Sequence, residues 1–169
     1  VIGGQFLRYN PGMQTEMLSF DTANGPTSAY CALPEVTNGK AVIVIQEWWG
    51  LDDQTRSVAD RLAANGYLAV APDLYAGELA SLGDSDKATV LKQKYELDAP
   101  AKLEKVFDSL KADPDCTGKV GAVGFCYGGA LAFLASSHAA LGLDGVVGFY
   151  GSLDGTRIGM PSPGEHAAE

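Results

Sequence analysis

Cys126 stands between glycines in Gly124-Phe125-Cys126-Tyr127-Gly128-Gly129, where a short apolar run ends and a helix-forming run begins. A thiol at such a strand-to-helix turn is held out over the sheet edge in a strained backbone region. Gly124 and Gly128, two residues to either side, remove side chains that so sharp a turn would bring together. The following helix aims its N-terminus at the sulfur, and its dipole favours thiolate over thiol. The backbone N–H of Tyr127 faces the same space and is placed to stabilise a tetrahedral oxyanion. The chemistry this predicts is nucleophilic attack on a carbonyl carbon. The plainer reading is a small buried hydrophobe, with glycines for close helix–strand packing.

A second group lies in Val42–Arg56, VIVIQEWWGLDDQTR. Glu47 falls at the carboxyl end of an apolar run, where α/β sheets place their ligand sites. Beside Cys126 it would hold the thiol neutral at rest, or take its proton when substrate arrives. The alternative for Glu47 is a carboxylate bonded to amides of its own loop. The N–H of Trp48 is a candidate second oxyanion donor, and the Trp49 ring a candidate apolar wall of a pocket.

These residues need elements to hold them. Met13–Phe20 and Thr27–Pro34 alternate in polarity around Asp-Thr-Ala-Asn-Gly-Pro, which predicts an antiparallel hairpin. From Lys40 the rhythm changes to strand, loop, helix. Strands are expected at 40–47, 67–75, 119–125 and 143–151, the first two apolar enough to be buried on both faces. Helices are expected after Asp52 or Asp53 as cap, with Val58 and Leu62 on one face and Gly66 closing. A short helix is expected within the polar stretch 76–98. A strong one follows, with Asp98 as cap, Pro100 in its first turn and Leu103, Val106, Phe107 and Leu110 on one face. Another is expected directly after Cys126. Asp73 reads as a turn or cap residue. The order gives an α/β fold with a mostly parallel sheet, in one domain over residues 1–155. Residues 156–169 lack any period and read as an irregular tail.

The chain has 169 residues, enough for one real core, and a net charge of −9. That charge argues against nucleic acid or an anionic membrane as partner, though a local pocket can differ in sign. No apolar run reaches membrane-spanning length, and the start shows no signal peptide. The first residue is Val1 rather than Met, so residues are expected upstream of it, either cleaved or lying outside this sequence. Cys31, Cys116 and Cys126 are odd in number and widely spaced. They read as reduced thiols in a cytoplasm, with no metal site and no cofactor.

QEWWGL, ANGYLAVAPDLY and GFCYGG, in this order and spacing, resemble the dienelactone hydrolase family (carboxymethylenebutenolidases) of the α/β-hydrolase superfamily. The resemblance runs from about Met13 to Gly151. It implies an α/β-hydrolase fold and hydrolysis of a small-molecule ester or lactone through a cysteine acyl-enzyme. Cys126 matches the family nucleophile, Glu47 the carboxylate that activates it, and the amides of Trp48 and Tyr127 the oxyanion hole. The resemblance also implies an Asp and a His beyond the strand at 143–151. Here His138 falls three helical turns past Cys126, about 18 Å away by helix rise. His166 sits in the tail, and Asp144 and Asp154 bracket the last strand. The expectation is a C-terminally truncated hydrolase, weak or inactive, whose Leu143–Tyr150 edge pairs with a second copy. Two alternatives stand beside it. One is an inactive homologue serving as a binding or assembly module. The other is an enzyme of the glutamine amidotransferase type, which also places Gly-x-Cys-x-Gly after a strand.

Overall fold

The computed structural model describes residues 12–22, 25–137 and 141–153. The hairpin forms as expected: β1 (Gln14–Thr22) pairs antiparallel with β2 (Gly25–Leu33), in a register running from Thr22 opposite Gly25 to Gln14 opposite Leu33. The chain then lays down β3 (Lys40–Ile45), α1 (Asp53–Ala64) and β4 (Leu68–Pro72). Two helices follow, α2 (Ser85–Tyr95) and α3 (Ala99–Lys111), then β5 (Lys119–Phe125), α4 (Tyr127–Ser137) and β6 (Gly145–Phe149). The six strands form one sheet in the order β1-β2-β4-β3-β5-β6. β1–β2 and β2–β4 are antiparallel and the remaining pairs parallel.

After β3 the chain goes to one side to make β4, then returns to the other side to make β5. The point between β3 and β5 is therefore the topological switch of the sheet, where the crossover helices part and a crevice opens at the carboxyl ends. β3 and β5 run in register, with Ile45 opposite Gly124. Glu47 and Cys126 each lie two residues past that pair, so the sheet itself brings the two predicted residues to the rim of one crevice.

The two faces are covered differently. Ile43, Ile45, Val70 and Val120 pack under Leu103, Val106, Phe107 and Leu110 of α3 and under Tyr127 and Leu131 of α4. On the other face, Ala32, Val44, Ala69 and Ala71 meet Ala59 and Ala63 of α1. The expected Val58/Leu62 stripe of α1 is only partly buried. Its fully buried line is Thr55, Ala59 and Ala63, small residues that let the helix lie close to the sheet. Asp52 caps α1, accepting from the Thr55 N–H at 2.8 Å, a contact worth about 1 kcal/mol. Asp98 does not cap α3 through its side chain, because its own backbone is already helical and α2 runs almost directly into α3. Asp73 is the expected turn residue: its buried carboxylate accepts from the Tyr75 and Gly77 amides.

β6 is hydrogen-bonded to β5 on one side and forms an edge of the described sheet. Val147 and Phe149 are about half exposed there. Among the described residues, no helix is long and apolar enough to cross a membrane, and no group of three or more His, Cys, Asp or Glu side chains is gathered as for a metal ion. The expected tail at 156–169 lies outside the described residues, as do His138, Asp154 and His166.

Candidate active site

Cys126 sits between β5 and α4 at φ 52°, a left-handed conformation that a side chain adopts at a cost of about 1–3 kcal/mol. Two backbone hydrogen bonds pin it. Its N–H donates to the Phe149 carbonyl at 2.9 Å, and its own carbonyl accepts from Ala130 at 3.1 Å, starting α4. The glycines around it are required by contact rather than by their own dihedrals. A Cβ on Gly124 would overlap the Gly128 carbonyl, and one on Gly128 would overlap the carbonyls of Ile45 and Gln46. A Cβ on Gly129 would stand 2.9 Å from the Phe149 carbonyl oxygen. The elbow is thus wedged against the ends of β3 and β6.

The thiol is half-buried, while Cys31 and Cys116 are buried. It faces a cavity of about 360 Å³ lined by Trp48, Thr89, Lys92, Cys126, Tyr127, Ala130, Tyr150 and Ser152. Of the two tryptophans it is Trp48, not Trp49, that lines the cavity. Trp49 meets Trp48 edge-on at 5.0 Å between ring centroids, and its carbonyl accepts from Ala80 at 2.9 Å, which ties β3's loop to the stretch before α2.

Burial raises the thiol pKa above its ordinary value, and the negative charge of Glu47 raises it further; a hydrogen bond from the Tyr127 amide pulls the other way. The helix N-terminus was expected to favour thiolate. One amide does not outweigh desolvation and a nearby carboxylate, so the resting group is a neutral thiol.

Glu47 does not bond the amides of its own loop. Its Oε1 accepts from the Tyr150 hydroxyl at 2.7 Å. This hydrogen bond, with burial and the Glu47 charge, pushes the Tyr150 phenol up to about 12. Tyr150 also stands at a positive φ of 44°, just past β6, with its ring tilted over Phe125. Sequence reasoning missed Tyr150 as a site residue. The available signal was its place at the carboxyl end of the strand after the nucleophile, on the rim where Glu47 and Cys126 stand.

Asp144, the other candidate acid among the described residues, is engaged elsewhere. Asp144 binds Lys119 at 2.8 Å and accepts from the Val120 amide at 2.9 Å, at the opposite end of the sheet from Cys126. The phenols of Tyr75 and Tyr127, buried near the cavity, have hydroxyls with no hydrogen-bond partner among the described residues; burial raises both pKa values.

A mostly parallel sheet of this strand order, with a cysteine at a strand–helix elbow and a carboxylate at the neighbouring strand end, defines a protein of the α/β-hydrolase class. A model of the dienelactone hydrolase family matches residues 27–168. The chain belongs to the dienelactone hydrolase family, which sets the amidotransferase alternative aside. It is 32% identical over 148 residues to the carboxymethylenebutenolidase of Pseudomonas putida, covering 82% of this chain and 62% of that one. It is 32% identical over 154 residues to the protein usf of Aquifex pyrophilus, covering 85% and 64%. A solved Klebsiella pneumoniae chain, named as a candidate dienelactone hydrolase, superposes with a TM-score of 0.68 at 28% identity, over 85% of this chain and 62% of that one. A dienelactone hydrolase-like promiscuous phosphotriesterase from metagenomic libraries superposes with a TM-score of 0.58 at 27% identity, over 74% and 56%. The chain spans under two thirds of the length of these relatives.

Proposed function

We propose that this chain carries the acylation half of an ester or lactone hydrolase, with Cys126 as nucleophile, Glu47 as proton acceptor and the amides of Tyr127 and Trp48 as oxyanion donors. The observation that carries the reading is Cys126 itself. It is a non-glycine residue in a left-handed conformation, pinned from both sides and opening onto a cavity, with Glu47 at the end of the adjacent strand. A strained residue persists only where its surroundings over-determine it, and such positions gather at sites of chemistry.

The step runs as follows. The Cys126 thiol proton passes to the Glu47 carboxylate as the Sγ–C bond forms. The carbonyl π pair moves onto oxygen, towards the two amides. The oxyanion then collapses, the C–O bond breaks, and the leaving oxygen takes the proton back from Glu47. In a lactone, that oxygen stays attached to the acyl chain. The P. putida relative is named for a butenolide, which is a lactone, and this favours the same class of bond here. Hydrolysis of the thioester needs a group that delivers water. The described residues are assigned no part in that step.

The test is to mix the protein with a p-nitrophenyl ester and find the acyl group by peptide mass. One acyl group on Cys126 with a matching burst of p-nitrophenolate is expected. An unmodified Cys126, or an acyl group carried elsewhere, overturns the reading. The raised thiol pKa favours a second reading, a homologue that keeps the cavity for binding or assembly. The same experiment separates the two.

A second copy pairing along the exposed edge of β6 belongs to the proposal, supported by the exposure of Val147 and Phe149. Sedimentation at micromolar concentration is expected to show a dimer or larger species; a monomer removes this part. A reducing, cytoplasmic setting rests on three free thiols, and the absence of nucleic-acid or membrane partners on the net charge of −9.

A further inference from the structure

We propose that residues 79–94, the loop after Glu78 with most of α2, form a flap that swings off the Cys126 cavity and gates access to it by size. The inference rests on the reading of that cavity as the reaction site and adds the motion that admits a substrate. Thr89 and Lys92 of α2 line the cavity along with Cys126, so the segment is one of its walls. Its two ends meet at one place. The Glu78 carboxylate accepts from the Tyr95 hydroxyl at 2.5 Å and pairs with the Lys94 ammonium. That clasp is fixed to the body of the molecule. The Tyr95 ring stacks on the fully buried Tyr75 ring at 5.6 Å between centroids, and the Lys102 ammonium lies 5.2 Å from the Tyr95 centroid. A surface segment that leaves and returns at one point turns about that point with little change elsewhere.

Between its ends, little holds the segment down. α2 buries Ala88 and Leu91, whereas α3 buries Leu103, Val106, Phe107 and Leu110 along one face. Leu79, Leu82 and Val90 of the flap are exposed. An element with so few buried apolar contacts opens at lower free energy than its neighbours. The backbone supplies the joints. Ala76 and Gly77 stand at φ 52° and 86° just before the flap, and Gly83 at 93° within it. Neither glycine has an atom within 4 Å of a would-be Cβ, so both have room to move. Hinges are a few such loop positions that take up the change in φ and ψ. The closed position is nevertheless a defined one. The Ala80 amide donates to the Trp49 carbonyl at 2.9 Å, and a Cβ on Gly50 would overlap the Glu78 carbonyl and the Leu79 side chain. The stretch clamped in this way also carries Glu47 and the Trp48 amide. Closure therefore steadies two groups that the proposed acylation uses, and opening releases them.

Hydrogen exchange, read by mass on peptides, is expected to show the α2 amides exchanging at least about 100-fold faster than those of α3. Equal protection of the two helices overturns the proposal. Access is read with two reagents that share one reaction and differ in size, iodoacetamide and an iodoacetamide carrying tetramethylrhodamine. With each, the Cys126 sulfur attacks the methylene carbon, iodide leaves with the bonding pair of the C–I bond, and the thiol proton goes to solvent. The ratio of the two rates at one pH is independent of the thiolate fraction. Leu91→Ala removes the large buried anchor of the flap. It is expected to raise the large-to-small reagent ratio at least about tenfold, with a matching rise of exchange in α2. Val106→Ala shortens a buried side chain of α3 and is expected to leave the ratio unchanged. A ratio that Leu91→Ala does not move, a rise without faster α2 exchange, or an equal rise in Val106→Ala overturns the flap. Exchange in the unaltered protein decides by itself where Leu91→Ala fails to fold. Neither readout involves hydrolysis. Failure of the ester assay alongside these results rejects the hydrolase reading and leaves the flap standing, and the reverse result does the opposite.

Discussion

Alanine at position 128 is expected to lower folding stability by more than about 4 kcal/mol, beyond the ordinary range for a single substitution. Gly128 lies in the first turn of α4 with its Cα facing the end of β3. An added Cβ would overlap the carbonyl groups of Ile45 and Gln46. Both are backbone groups at the end of the central strand, where Val44, Ile45 and the following Gln46 are all fully buried, so neither can rotate away. Helix and strand have to separate, and the strained turn at Cys126 loses the support that holds it. Gly77 provides the comparison. It has a positive φ of 86° and nothing within 4 Å of its would-be Cβ. Gly77→Ala carries the left-handed penalty alone, about 1 kcal/mol. The expected result is a fall in melting temperature of about 8–16 °C or more for Gly128→Ala, against about 2–4 °C for Gly77→Ala. Equal and small shifts in the two variants would show that the elbow is not wedged as described.

The parts of this molecule that were legible from sequence are those fixed by local pattern or by strand ends. The hairpin, the three parallel strands around Glu47 and Cys126 and the face of α3 follow from periodicity that each segment carries by itself. Glu47 was read as a candidate from its place at a carboxyl strand end, and Cys126 from the glycines that flank it at a strand-to-helix turn. The sheet order then joins them, because β3 and β5 are neighbours in register.

What was not legible depends on distant partners. Nothing in the residues around Glu47 announces that its hydrogen bond comes from Tyr150, 103 positions away. The buried line of α1 escaped because alanines and a threonine, not Val58 and Leu62, meet the sheet. Lys92 lines the cavity, and the polar sequence of its helix does not reveal which of its cations does so. Lys102 was equally hidden. It is buried, with its ammonium on the Leu74 carbonyl at 2.9 Å, and burial lowers its pKa. The sign of the thiol's shift was missed for the same reason. The helix dipole is a local property and was counted, whereas the desolvation that opposes it comes from the packed surroundings.

Glu47→Gln is expected to move two rates of one sulfur in opposite directions. Burial and the Glu47 charge both favour the neutral thiol, so the pKa of Cys126 lies above its ordinary value. Glutamine removes the charge and leaves the burial, so the midpoint of the alkylation-against-pH profile should move to lower pH. At neutral pH, well below that midpoint, each unit of downward shift raises the thiolate fraction about tenfold, and iodoacetamide should react faster. Acylation by an ester should instead fall about 100-fold, the usual contribution of a positioned general base. Carboxylates are in general far weaker bases than thiolates. The proton therefore leaves sulfur only as the Sγ–C bond forms, a step that iodoacetamide trapping of free thiolate does not need. Tyr150→Phe supplies the matching control, because it removes the hydrogen bond and keeps the charge. Its alkylation midpoint should stay close to that of the unaltered protein, while the freed carboxylate changes acylation by less than about tenfold. If both rates fall together in Glu47→Gln, the carboxylate only shapes the cavity. If alkylation speeds up while acylation is unchanged, Glu47 sets the field at Cys126 without receiving its proton, and the base must be sought in another residue.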